Sequence, residues 1–66
     1  MKNIIKIERA IKNITQEELA GMIGVTRQTI NAIELNKFIP STLVALKIAR
    51  VFQKRVEEIF LLEEFD

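Results

Sequence analysis

From residue 15 onward, apolar and polar positions fall into two short helical repeats. Leu19, Ala20 and Ile23 share one face of the first, and Val25, Ile30 and Ile33 share one face of the second, leaving Arg27, Gln28, Thr29 and Asn31 on the opposite side. Each repeat opens on a capping residue. The Thr15 hydroxyl can accept from an orphan N–H while Glu18, three residues on, reaches back in a capping box, and Thr26 caps the second helix. Between them Gly24 is free to take the positive φ that closes a helix before a sharp turn. Small Ala20 suits a close helix crossing. The pattern predicts two helices held in one fixed relation by a short turn, over about residues 15–34.

The flanking segments extend this unit. Lys2 to Ile7 has β-branched residues in partial alternation, and a helical repeat at Ile4, Ile7, Ile11 and Ile14 overlaps it, so a strand-like start runs into helix 1. Asn13 fits the left-handed position that ends that helix. After the third helix, Asn36 suits a left-handed stop, Pro40 holds its predecessor extended, and Ser41 caps helix 4. Helix 4 runs from Thr42 to about Phe52 as the central core helix, with Leu43, Leu46, Ala49 and Phe52 inward and Lys47, Arg50 and Lys54 on the other side. Phe38, beside Pro40, is expected as a core plug. A break at residues 53–55 precedes a short helix 5 at residues 56–60, whose acids suit the helix dipole. The end of the chain, with Phe60, Leu61, Leu62 and Phe65, is too apolar for a free tail. A strand here pairing with residues 1–6 accounts for it and offers an apolar face to a second subunit. The fold class expected is mainly α, a five-helix bundle in one domain, extended by a small terminal antiparallel sheet.

Size and composition narrow the chemistry. A 66-residue chain buries only about 60% of its unfolded surface, so a homodimer is the expected supplement to a marginal core. With no cysteine and no histidine, disulfides, thiolate or imidazole metal sites and the common nucleophile–base pairs are excluded, and no metal, cofactor or enzymatic activity is expected. No apolar run approaches the length of a membrane span or a signal peptide, and the expected location is cytoplasmic. The net charge of +1 hides a division. Residues 1–56 carry all ten lysines and arginines against four glutamates, and residues 57–66 carry five acids and no base. A basic body with an acidic tail fits a polyanionic partner that meets the body alone. Lys2, Lys6, Lys12, Lys47, Arg50, Lys54 and Arg55 are read as solvated charges.

Laid out in this way, residues 5–60 resemble the Cro/repressor-type (Xre) helix-turn-helix family of DNA-binding transcriptional regulators. The resemblance rests on residues 15–20, on Gly24-Val25-Thr26-Arg27-Gln28-Thr29-Ile30, on Ile33-Glu34, on residues 37–41 and on Leu46-Lys47-Ile48-Ala49. Within the family the chain is most similar to small repressors typified by the cytolysin-operon repressor, which add terminal strands to a lambda-repressor-like five-helix bundle and form homodimers. By position, the resemblance implies base reading by Arg27, Gln28 and Asn31, chemistry that suits purine edges in the major groove. It implies backbone contacts from Gln16, Thr26, Thr29, Asn36 and Lys37, and a largely buried ion pair between Arg9 and Glu34. Phe60, Leu61, Leu62 and Phe65 are the expected dimer contacts. No small-molecule effector site is identifiable.

Three departures from the family pattern stand out. Glu8 occupies a usually apolar position, which implies either a rotated helix 1 or a Glu8 that joins the Arg9 network. Asn36 replaces a loop glycine, and Gln53-Lys54-Arg55 replaces Gly-Val-Ser and loses the cap of helix 5. The function expected is sequence-specific binding of double-stranded DNA by a homodimeric repressor that sets helix 3 into the major groove of an inverted repeat. The alternative is an antitoxin or other interaction module whose main partner is a protein.

Overall fold

The computed structural model describes residues 1–66 as five helices and one two-stranded sheet. In chain order these are β1 (Lys2–Asn3), α1 (Ile5–Lys12), α2 (Gln16–Ile23), α3 (Arg27–Glu34), α4 (Thr42–Phe52), α5 (Val56–Ile59) and β2 (Phe60–Leu61). The terminal strands pair antiparallel, Lys2 opposite Leu61 and Asn3 opposite Phe60. The Ile4 N–H extends the pairing by donating to the Ile59 carbonyl at 3.0 Å. The expected mainly α bundle with a small terminal sheet is the fold found. No helix is long and apolar enough to cross a membrane.

Local chemistry sets most helix boundaries. Thr15 and Glu18 form the reciprocal capping box, with the Glu18 N–H donating to Thr15 Oγ1 at 3.0 Å and the Thr15 N–H to Glu18 Oε1 at 2.9 Å. Thr26 and Ser41 cap α3 and α4 by accepting from the Thr29 and Val44 N–H groups. At the other ends, Asn13, Gly24, Asn36 and Gln53 all take left-handed φ angles, of 57°, 75°, 60° and 54°. After α1, α3 and α4 the next N–H reaches back to close the helix: Ile14 to Arg9, Lys37 to Ala32 and Lys54 to Ala49. Helix α5 starts without a side-chain cap from its preceding residue. Glu58 supplies half of one instead, its Oε1 accepting from the Arg55 N–H at 2.9 Å, and that bond holds its carboxyl below the usual range.

The core draws on every helix and on β2: Ile5, Leu19, Ala20, Ile23, Ile30, Ile33, Ile48, Ala49, Phe52, Ile59 and Phe60. Four expectations are corrected here. Helix α1 is rotated from the Ile4–Ile7–Ile11–Ile14 phase, burying Ile5 and Glu8 and leaving Ile7 and Ile11 exposed. In α4 the inward residues are Ile48, Ala49 and Phe52, with Leu43 and Leu46 at the surface, because the helix packs on α2 and α5 along a neighbouring stripe. Phe38 is half exposed rather than a core plug. Phe60, expected at a subunit contact, lies in the monomer core, while Leu61, Leu62 and Phe65 remain exposed.

Two polar links tie α4 and the residue after its C-cap to α2 and α1. Lys54 Nζ sits 2.8 Å from Glu8 Oε2, so Glu8 joins Lys54 and not the Arg9 network. This pairing raises the Lys54 pKa, chiefly through the hydrogen bond to Glu8. Lys47, expected to be solvated, is half-buried and its Nζ lies 3.4 Å from the Ile23 carbonyl, an acceptor at the C-terminal end of α2.

Candidate nucleic-acid interface

Helix α3 is anchored at both ends. Its N-terminus is capped by Thr26, whose Oγ1 also lies 3.0 Å from Thr29 Oγ1. At its C-terminus, Asn3 Nδ2 donates to the Ile33 carbonyl at 2.9 Å and to Asn36 Oδ1 at 3.1 Å, while Asn3 Oδ1 accepts from the Ile5 N–H. One side chain from β1 thereby ties together the end of α3, the loop after it and the start of α1. Ile30 and Ile33 fix the inner face. Arg27, Gln28 and Asn31 are left exposed, and a spacing of one and then three residues puts them on one side of the helix.

Behind this face lies a polar network. Arg9 meets Glu34 in two parallel bonds, Nε to Oε2 at 2.6 Å and NH2 to Oε1 at 3.0 Å, and its NH1 donates to the Ile14 carbonyl at 3.1 Å. Both side chains are largely buried, and the carboxylate raises the Arg9 pKa further above its ordinary value. Gln16, the first residue of α2, connects this pair to the outer face. Its Nε2 donates to Glu34 Oε1 at 3.0 Å and to Asn31 Oδ1 at 3.2 Å, and its Oε1 accepts from Arg27 NH1 at 3.3 Å.

The structure therefore brings Gln16, Arg27 and Asn31 together and places Gln28 beside them without a bond into the network. Thr26 and Thr29 sit at the α3 N-terminus, and Asn36 and the exposed Lys37 sit in the loop beyond its C-terminus. Two shallow clefts flank Arg27. One, of about 390 Å³, is lined by Arg9, residues 13–17 and Arg27; the other, of about 380 Å³, lies between α2 and α3 along Ala20, Gly21, Val25 and Gln28. Glu17 contributes to both, so the face is mixed in charge rather than purely basic. The link from Glu34 through Gln16 to Asn31 is absent from the sequence reading. A glutamine at the opening of one helix and an asparagine and glutamate at the end of the next carry no local signal that they meet.

Two capped helices joined at a left-handed glycine, with the second presenting amide and guanidinium groups, define the helix-turn-helix class of protein. The family described as Helix-turn-helix matches residues 3–59, and the chain belongs to this Xre-type helix-turn-helix family. Relatives align along almost the whole chain. It is 52% identical over 64 residues to an uncharacterized HTH-type transcriptional regulator of Methanocaldococcus jannaschii, covering 97% of each chain. It is 48% identical to the uncharacterized HTH-type transcriptional regulator YgzD of Bacillus subtilis, again covering 97% of each. A third, from Archaeoglobus fulgidus, is 50% identical, with 97% of this chain and 90% of the relative covered.

Proposed function

We propose that the protein is a DNA-binding transcriptional regulator that inserts α3 into the major groove and acts as a homodimeric repressor on an inverted-repeat operator. The observation that carries this reading is the outer face of α3, where Arg27, Gln28 and Asn31 stand exposed on a helix whose own position is fixed at both ends. Guanidinium and amide groups match the donors and acceptors of base edges. The backbone N–H groups at the α2 N-terminus, beginning at Gln16, supply the sequence-independent contacts to phosphate together with Thr26, Thr29, Asn36 and Lys37.

Homodimer formation is supported by the large apolar residues that the monomer leaves uncovered. Leu62 and Phe65 are 81% and 95% exposed. Ile39 and Leu46 border an apolar groove of about 330 Å³ that also includes Met1, Ala45 and Val56. A gel-shift series at increasing salt over the protein's own promoter tests the reading. A regulator gives a discrete complex that weakens with salt and is weakened further in Arg27→Ala and Gln28→Ala. Binding to a protein target that ignores both substitutions and is lost in Phe65→Asp supports the interaction-module alternative.

A further inference from the structure

We propose that Glu34, although it faces inward, is a positioning residue for base reading, because its carboxylate sets the orientation of the Gln16 amide and through it that of Asn31. The inference rests on the assignment of α3 as the DNA-reading helix and adds which chemical edge Asn31 presents.

The argument turns on what each group can donate. A carboxylate only accepts and a guanidinium only donates, whereas an amide does one at each end. Gln16 lies between the first two kinds: Glu34 Oε1 is 3.0 Å from its Nε2, and Arg27 NH1 is 3.3 Å from its Oε1. Turned over, the amide would set oxygen against carboxylate and amino group against guanidinium, so only one orientation is compatible with both neighbours. The second Nε2 hydrogen then points at Asn31, whose Oδ1 accepts it at 3.2 Å. Asn31 in turn cannot present its amino group to Gln16, since two donors would face each other. Its Nδ2, which bonds no protein atom, is left as the donor edge of an exposed side chain.

The orientation is durable because Glu34 is itself held. Arg9 grips both carboxylate oxygens, and the pair is largely buried. A chain of fixed polarity thus runs from Arg9 to Glu34, to Gln16, to Asn31. In the major groove a donor edge favours the N7 and O6 of guanine, the N7 of adenine or the O4 of thymine, and it meets the N4 amino group of cytosine as donor against donor. The base met by Asn31 is therefore selected against cytosine by a residue that never touches DNA. Replacing Glu34 by glutamine supplies a neighbour that can donate as well as accept, which leaves only the longer 3.3 Å contact from the exposed Arg27 to oppose a turn of Gln16 and then of Asn31.

Selection from a pool of randomised duplexes tests this with the wild-type protein, Asn31→Ala, Glu34→Gln and Gln16→Met, each checked for helical circular dichroism. Asn31→Ala should flatten one position in each half-site and so identify it. There the wild type should disfavour cytosine roughly tenfold or more, and the two amide-network variants should reduce this to within about twofold, while the position lost in Gln28→Ala keeps its preference. A purely structural role for Glu34 predicts weaker binding at every sequence with base preferences intact. Folded variants that keep the wild-type bias against cytosine overturn the proposal, as does an Asn31→Ala variant that flattens no position. If Glu34→Gln does not fold, Gln16→Met decides alone, because it cuts the link and leaves the Arg9 pair in place. A wild-type protein that enriches no sequence overturns the DNA-reading assignment itself, a result distinct from either of the others.

Discussion

Lys54 Nζ lies 2.8 Å from Glu8 Oε2 and joins the residue after the α4 C-cap to the inward face of α1, with 40% of the Lys54 side chain but only 7% of the Glu8 side chain exposed. The pair stands where the family pattern implies an apolar contact. Its two members are unequal, because Lys54 can turn to water and Glu8 cannot.

That inequality predicts an asymmetric response to mutation. Lys54→Met should destabilise the fold, since it strands a carboxylate that is only 7% exposed. Glu8→Met should leave stability within about 1 kcal/mol of wild type or improve it, because an apolar side chain suits the site. Urea denaturation of both variants and the double mutant checks the order. A Glu8→Met loss larger than that of Lys54→Met would contradict it.

Gln53 closes α4 at φ 54° with no hydrogen bond from its own side chain. A β-carbon in that conformation is strained, and glycine removes the strain at some cost in chain entropy. Gln53→Gly should therefore stabilise by about 0.5–1 kcal/mol, visible as a higher thermal midpoint, while Gln53→Ala should show no gain.

These two sites also mark how far the sequence could be read. The segment from Thr15 to Glu34 was legible because its determinants are local: two hydroxyl caps, one glycine and apolar positions in a single phase. Asn13 and Asn36 signalled left-handed stops through residue type, and Gln53 did not. In α1, isoleucines occur on several sides, so the repeat at Ile4, Ile7, Ile11 and Ile14 competed with the stripe that is buried, and Glu8 argued against that stripe until Lys54, 46 residues away, neutralised it. Helix α4 is apolar at most positions, and only its packing partners decide that Ile48 turns inward and Leu46 outward. The Arg9–Glu34 pair was implied by the resemblance, whereas the Gln16 link joins residues 15 and 18 positions apart that carry no local sign of meeting.

The tail carries a pH dependence of its own. The Met1 ammonium lies 2.9 Å from Asp66 Oδ2 and 3.0 Å from Glu63 Oε1, and Asp66 Oδ2 also accepts from the Glu63 N–H. The Glu63 N–H and then the ammonium hold Asp66 below its ordinary 3.8, and Asp66 with Glu63 holds Met1 above its ordinary 8.0. A depressed acid stabilises above its unfolded value and loses that contribution as pH falls through the folded one; a raised amine stabilises fully below its unfolded value and loses it as pH rises through the folded one. The tail should therefore stay docked between about pH 4 and 8 and release on either side. Amide chemical shifts of Phe65 and Asp66 across that range check it. Shifts unchanged from pH 2 to 11 would show that the clasp does not hold the tail.

On the proposed interface, Arg27→Ala and Gln28→Ala should each cost about 1–3 kcal/mol of specific binding and relax selectivity at a base position. Lys37→Ala should weaken binding to all sequences alike and flatten the salt slope by about one. Titrations against specific and random duplexes at several salt concentrations separate the two behaviours. Equal losses on both duplexes would remove Gln28 from the base-reading set.

A footprint of the wild-type protein on a sequence enriched by selection tests whether two copies of α3 read DNA together. Two protected half-sites in inverted orientation, with centres about one turn or roughly 34 Å apart on one face of the duplex, are the predicted result. Protection of a single half-site, or of no defined sequence at moderate salt, would contradict it.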